Sequence, residues 1–276
     1  MPMSQSDKAD ALQALHEKSE LFVMPNAFDG CSANLLASLG FKCAATSSWV
    51  KAAMLGTTDG NISRDAALAH AKQIVDAAEL PVSADLENGF GDAPEEAAET
   101  IKRAAAIGLV GGSIEDATGD SEEPIYDFDF AVERVSAAIA AARDLPFKFT
   151  FTARSENFVR GINDLEDTIA RLQAFEAAGA DVLMAPGLPD LDAVRRVCAS
   201  VSKPVNFMVG IPGKSFSVAE LADASVRRVS LATSLYTSAM SALAEAAREV
   251  QNQGTFSYLD RVNGVDFGAI LKGKAA

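Results

Sequence analysis

Positive charge, histidine and cysteine are scarce in this chain. It has 24 Lys and Arg against 38 Asp and Glu in 276 residues, a net charge of −14. That excess of acid argues against nucleic acid or an anionic membrane as the main partner, because both reward a basic face. The three cysteines, Cys31, Cys43 and Cys198, show no CxxC or CxxH spacing. A disulfide framework and a structural zinc site are therefore not expected; reduced, buried thiols in a cytoplasmic protein are. The two histidines, His16 and His70, lie in the N-terminal segment and inside a helical pattern. Neither supports a Ser-His-Asp or Cys-His mechanism. No apolar run approaches the ~20 residues that cross a membrane, and Met1 to Glu20 lacks the apolar stretch of a secretory signal.

What the chain has is an alternation. Apolar runs at Leu21–Ala27, Cys43–Ser48, Pro81–Glu87, Gly111–Asp116, Phe149–Ser155, Val182–Pro186, Pro204–Val209 and Arg228–Ala232 predict eight strands. They are continuous runs, as parallel strands covered on both faces require. Amphipathic patterns predict helices over Arg64–Ala78, Pro94–Ile107, Phe130–Ala142, Asp164–Ala178, Asp190–Ala199, Val218–Ala224 and Tyr236–Asn252. Pro94 with Glu95 and Glu96 reads as a first helical turn, and Gly40, Gly108 and Gly179 each close a helix. Strands and helices alternating at roughly 30 residues per unit describe an α/β fold, the (β/α)8 TIM barrel. No linker divides the chain, so one domain over 1–276 is expected, with the barrel at about 21–252 and an extension over 253–276. The apolar residues of that extension, Phe256, Tyr258, Leu259, Val262, Val265, Phe267, Ile270 and Leu271, need cover from their own barrel or from a neighbouring subunit.

Working residues of such barrels gather at the C-terminal ends of strands. Asp85 and Glu87 share one side of strand 3, and Glu115 ends strand 4. Three crowded carboxylates repel one another unless a cation joins them; a hard ion that keeps several waters, Mg²⁺ with Mn²⁺ as the substitute, suits them. Asp116 and Glu156 read instead as solvated loop acids or caps. Arg154 ends strand 5, where its fork fits a substrate carboxylate or an ion pair with Glu115 or Glu87. Ser47 and Ser48 follow strand 2 and offer N–H groups and hydroxyls to an anionic oxygen, or simply form a turn. Strand 7 ends near Asn206, a further candidate for substrate contact.

Ser83-Ala84-Asp85-Leu86-Glu87-Asn88-Gly89-Phe90-Gly91, Ile114-Glu115-Asp116 and Thr152-Ala153-Arg154-Ser155-Glu156-Asn157 together resemble the isocitrate lyase/phosphoenolpyruvate mutase superfamily. Met24 to Asp29, Thr46-Ser47-Ser48 and Met54 to Gly60 also match, so the resemblance runs in order from about Phe22 to Ser238. It implies a Mg²⁺-dependent enzyme acting on a C–C or C–P bond beside a 2-oxo or 2-hydroxy carboxylate, through a pyruvate-type enolate. It implies Asp85, Glu87 and Glu115 as metal ligands, partly through water, with Asp59 nearby. Arg154, Asp59 and Glu115 are the catalytic candidates; Ser47, Ser48, Arg154 and Asn206 are the substrate-binding ones. Such barrels often exchange the eighth helix between subunits, so a homodimer or homotetramer is expected.

The departures bear on the substrate. Isocitrate and methylisocitrate lyases carry Lys-Lys-Cys-Gly-His after the fourth strand; here Ala117 to Tyr126 holds no Cys, Lys or His. The chain therefore resembles a carboxyphosphonoenolpyruvate phosphonomutase-like member without that loop, and the phosphoenolpyruvate mutase's loop Lys is missing too. Glu87 stands where the family usually has Asp, an arm longer by roughly 1.5 Å. Asp116, Asp120, Glu122, Glu123 and Asp127 make the loop acidic, which disfavours substrates with two or three extra negative charges if it closes. The first expectation is a lyase working on a small carboxylate by oxaloacetate-type decarboxylation or retro-aldol cleavage, with Tyr126, Tyr236 or water as proton donor. The alternatives are C–P chemistry on a phosphonate such as phosphonopyruvate, with Lys51 or Lys214 facing the phosphoryl group; a phosphate cup at Gly210 to Gly213 and Thr233-Ser234; or a non-catalytic barrel.

Overall fold

A computed structural model describes residues 3–262 and 265–271. The elements run α1 (Gln5–Glu17), β1 (Phe22–Met24), α2 (Gly30–Ser38), β2 (Ala44–Ala45), α3 (Ser48–Met54), α4 (Arg64–Ala77), β3 (Val82–Asp85), α5 (Pro94–Ala106), β4 (Gly111–Glu115) and α6 (Phe128–Arg143). There follow β5 (Thr150–Arg154), α7 (Leu165–Ala178), β6 (Val182–Met184), α8 (Leu191–Ser200), β7 (Val205–Met208), α9 (Val218–Asp223), β8 (Arg228–Ser230), α10 (Ser234–Gln253) and α11 (Phe267–Leu271).

All eight strands pair in parallel, in the order β1-β8-β7-β6-β5-β4-β3-β2. A bridge between Asn26 and Ala45, with Ala27 N donating to Ala45 O, draws β2 against the end of β1. The result is the expected (β/α)8 barrel. The strands are shorter than the apolar runs because each run continues into a loop that holds the site. Strand 2 shows this most: only Ala44–Ala45 is paired, and Ser48 already opens α3, with the Ser47 hydroxyl accepting from Val50 N. Helices α2 and α3 lack the long periodic pattern that marked the others, and α2 is organised by a capping box between Asp29 and Ser32.

The core is a continuous shell of Leu, Ile, Val, Phe and Ala between strands and helices. Helices α5 and α6 pack on each other and bury many small residues, among them Ala97, Ala104, Ala131 and Ala138. A second cluster closes the N-terminal end of the barrel, where Ala9 and Leu12 of α1 pack on Met24, Cys43 and Val110. Gly111 makes room for that plug: a Cβ there would stand 3.1 Å from Leu12 Cδ2 and 3.0 Å from Thr150 O.

All three cysteines are free, Cys43 buried and Cys31 and Cys198 half-buried. Burial pushes the Cys43 thiol up to about 12 and the Cys198 thiol up to about 11. Among the described residues no helix is long and apolar enough to cross a membrane. In the extension, Ile270 is buried where α11 meets α2, whereas Phe256, Leu259, Val262 and Val265 are exposed. The side chains of Phe267 and Leu271 lie outside the described residues.

Candidate active site

Three neighbouring strands end on the residues singled out above. Asp85 closes β3, Glu115 closes β4 and Arg154 closes β5. Because the strands are parallel and in register, their last side chains arrive on one rim. Arg154 ties that rim together: Nη1 lies 2.8 Å from Asp85 Oδ1, and Nη2 lies 3.0 Å from Glu115 Oε2 and 2.8 Å from Glu156 Oε1. Arg160 adds a second guanidinium, 3.2 Å from Glu115 Oε1. Burial opposes the charge of Arg154, but Glu156, Glu115 and Asp85 outweigh it and raise its pKa.

The loop after β3 is held in unusual backbone conformations. Glu87 and Phe90 have φ of 50° and 61°, in the left-handed region that non-glycine residues avoid. What holds them is Arg134 of α6, a residue the sequence reading passed over. It is buried beneath this loop, donating to Gly91 O at 2.9 Å and to the carbonyls of Asn88 and Asp92. Its guanidinium lies 4.2 Å from the centre of the Tyr126 ring. The signal was an arginine on the apolar face of a helix, between Ala131 and Ala138.

Asp116 and Glu156 correct an expectation. Both are buried rather than solvated, at 2% and 3% exposure. Asp116 accepts from Glu156 N at 2.8 Å and pairs with Arg171 at 3.3 Å; burial pushes it up to about 7. Pairing offsets the cost of burying such a charge, and Arg171 is the partner that sequence spacing did not reveal.

Tyr126 donates to Asp92 Oδ1 at 2.6 Å and accepts from Asn88 Nδ2 at 3.0 Å; burial and the Asp92 bond push it up to about 12. Tyr236 stacks edge-on with Phe28. Lys214 donates to Gly187 O at 3.1 Å. Lys51 is buried on α3 with no hydrogen-bond partner for Nζ among the described residues, and burial lowers it to about 8 against the pull of Glu87. In the segments proposed as a phosphate cup, Gly210 N is bound by Ser215 Oγ and Ser234 N by Leu231 O. Asp120, Glu122 and Glu123 face solvent, and Thr118 N to Pro124 O draws the acidic loop into a short hairpin.

A cavity of about 290 Å³ opens at this rim, and Ser47, Ser48, Asp59, Asp85, Arg154 and Asn206 all line it. An adjoining space of about 240 Å³ is bordered by Asp59, Glu87, Glu115 and Arg154. A larger groove of about 940 Å³ lies at the opposite end of the barrel and contains none of these acids. The Ser48 N–H donates to Asp85 Oδ2 at 3.1 Å, so it orients that carboxylate. Burial, with Asp85 and Asp59, pushes Glu87 up to about 7; burial and Asp85 raise Asp59. Burial raises Glu115 most strongly, with Glu156 and Asp85 adding to it against Arg154 and Arg160. Among the described residues no three His, Cys, Asp or Glu converge into a ready-made metal cage. The donor set is nevertheless all oxygen and over-rich in negative charge, which fits a hard cation that retains waters and needs few direct ligands.

A parallel barrel with acids and an arginine on the C-terminal rim defines a class of enzyme-like scaffold, and comparison with known proteins places the chain within it. It belongs to the family described as phosphoenolpyruvate phosphomutase, whose profile matches residues 12–251. It falls with its relatives in the phosphoenolpyruvate mutase/isocitrate lyase superfamily. A solved protein of Burkholderia cenocepacia J2315, described as a lyase or mutase, is 48% identical with a TM-score of 0.95, covering 99% of each chain. Oxaloacetate decarboxylase of Paraburkholderia xenovorans is 28% identical over 89% of this chain and 83% of its own. Phosphonopyruvate hydrolase, solved with oxalate and Mg²⁺, shares the fold at 22% identity and a TM-score of 0.85, covering 98% of this chain and 95% of its own.

Proposed function

We propose that this protein is a Mg²⁺-dependent lyase that cleaves a C–C bond of a small 2-oxo or 2-hydroxy carboxylate through a pyruvate-type enolate. Oxaloacetate-type decarboxylation and retro-aldol cleavage are the two reactions that fit. The observation carrying this reading is Arg154, bridging Asp85 and Glu115 on the rim of a 290 Å³ cavity. Relatives that include an oxaloacetate decarboxylase support it.

Asp85, Glu87 and Glu115 are the residues to hold the ion, partly through water, with Asp59 beside them. Mg²⁺ in that position, or Mn²⁺ in its place, supplies Lewis-acid stabilisation of the charge that develops on the substrate oxygen. The remaining work falls to the protein. Arg154 presents a guanidinium fixed by three carboxylates, so its cavity edge is pre-oriented to bind the substrate carboxylate. Ser48 N–H fixes Asp85, and Ser47 and Ser48 narrow the cavity mouth beside it. Asp59, with its pKa raised, is suited to hold a proton near the reacting carbons. Tyr126 does not serve as the donor, because its proton is bound to Asp92.

The C–P reading would have to draw its cation from Arg160, which borders both cavities. The β4 loop carries none, Lys214 is bound to a carbonyl, and Lys51 is buried on α3 outside both cavities. Self-association is part of the proposal: α10 has no buried residue and exposes Met240, Leu243 and Val250, a face for a second copy of the chain.

The test is pyruvate release from 2-oxo acids, 2-hydroxy acids and phosphonopyruvate, with and without Mg²⁺, beside Asp85→Ala. Mg²⁺-dependent pyruvate from a C–C substrate, lost in the variant, is expected. Pyruvate from phosphonopyruvate alone moves the chain to C–P chemistry, and no pyruvate from any substrate removes the lyase reading.

A further inference from the structure

Arg228 opens β8 with its side chain inside the barrel, 4% exposed. Nε donates to Asn206 Oδ1 at 2.8 Å, Nη2 to Thr152 Oγ1 at 3.0 Å, and Nη1 meets His16 Nε2 at 3.3 Å. All three acceptors are neutral. Burial and the Arg228 charge hold His16 down at about 3, and its Nδ1 faces Leu12 O at 2.9 Å. Burial draws Arg228 itself down only to about 10, so it stays charged at neutral pH. Among the described residues no carboxylate pairs with it, although the chain carries 38 acids. A buried cation without a counter-ion is unfavourable, and an apolar side chain would serve the fold better.

The layer above Arg228 is equally unusual. The interior of such barrels is normally packed with Val, Ile and Leu. Here Ser83, Ser113, Asn206 and Ser230 face inward, leaving the strand-end cavity open downward to Arg228. Thr152, which holds Arg228, precedes Arg154 by two residues on β5. Thr152 and Arg154 point into the barrel one layer apart, ~7 Å along the strand.

We propose that Arg228 is a specificity-determining residue that receives the distal carboxylate of a dicarboxylate substrate whose 2-oxo or 2-hydroxy carboxylate head sits at Arg154. The proposal rests on the lyase reading of that site. A four-carbon diacid holds its carboxyl carbons about 4 Å apart across three bonds of about 1.5 Å. A hydrogen bond of about 2.8 Å at the far end completes the span. The floor adds direction: Arg228, without a carboxylate partner among the described residues, attracts the second negative charge downward. Asn206 is then a positioning residue that aims Arg228.

Malate and 2-hydroxybutanoate share a 2-hydroxy carboxylate head and differ in the distal carboxylate, so their binding in the presence of Mg²⁺ is compared by calorimetry. The wild-type chain is expected to bind malate at least tenfold more tightly. Arg228→Met should abolish that preference while leaving 2-hydroxybutanoate affinity within about twofold. Asn206→Asp gives Arg228 a carboxylate in place; it should raise the melting temperature and also abolish the preference, and it serves if Arg228→Met fails to fold. Equal wild-type affinities, or a malate preference that survives Asn206→Asp, overturn the role of Arg228 and leave the head site standing. Failure of both ligands to bind wild-type protein overturns the lyase reading and this proposal together.

Discussion

The Tyr126 hydroxyl donates to Asp92 Oδ1 at 2.6 Å, beneath the guanidinium of Arg134. That bond makes Tyr126 a support of the β3 loop. Tyr126→Phe is expected to keep kcat within about threefold and to lower stability by about 1.5–3 kcal/mol, the worth of a hydrogen bond to a charged group. Urea denaturation beside steady-state kinetics checks both; a kcat loss of several hundredfold with unchanged stability would restore Tyr126 as proton donor.

Arg134 holds three loop carbonyls, so Arg134→Met leaves them buried without donors. A loss of about 3 kcal/mol is expected. The left-handed conformation at Glu87 should relax with it, weakening Mg²⁺ binding measured by calorimetry. Arg134→Lys, with one compact ammonium, should recover only part of each effect.

Arg154 neutralises Asp85, Glu115 and Glu156 at once. Arg154→Ala should reduce kcat/KM by at least about a thousandfold, or about 4 kcal/mol. It should also destabilise the fold by about 3 kcal/mol, because Asp85 loses its ion pair and the buried Glu115 and Glu156 are left with Arg160 alone. An active, stable Arg154→Ala enzyme would contradict the site.

His16 gives a pH signature. Its folded pKa of about 3 lies below the unfolded value of 6.5, so the unfolded chain binds more protons between them. Its contribution to stability is complete above pH 6.5 and is lost as pH falls toward 3, with a slope of up to about 1.4 kcal/mol per unit. His16→Gln keeps a neutral acceptor near Arg228 and should flatten the urea-midpoint profile between pH 6.5 and 5.

Leu243 is 60% exposed at the centre of α10. If that face meets a second copy, Leu243→Glu should reduce the assembly to monomers in sedimentation velocity, without the loss of secondary structure that a core substitution brings. A wild-type monomer would dismiss the face as an interface.

Much of this was legible in the sequence because parallel barrels write themselves locally. Each apolar run between helical patterns became a strand, and Asp85, Glu115 and Arg154 were readable because strand ends are where short runs stop. Asp116 and Glu156 were misread because a loop acid next to a strand looks the same whether it meets water or a distant arginine. Arg171 lies 55 residues from Asp116, and no local pattern links them.

The sequence alone determined the barrel, the acid-rich rim and the absence of a cationic β4 loop, since these depend on residue type and on periods of two and 3.6 along the chain. Tertiary structure decided which charges are paired. It set Arg154 among three acids, clamped the β3 loop with Arg134, and left Arg228 buried on the floor of the cavity with no carboxylate partner among the described residues. Those outcomes depend on distances of about 3 Å between residues far apart in sequence, and only closing the barrel sets them.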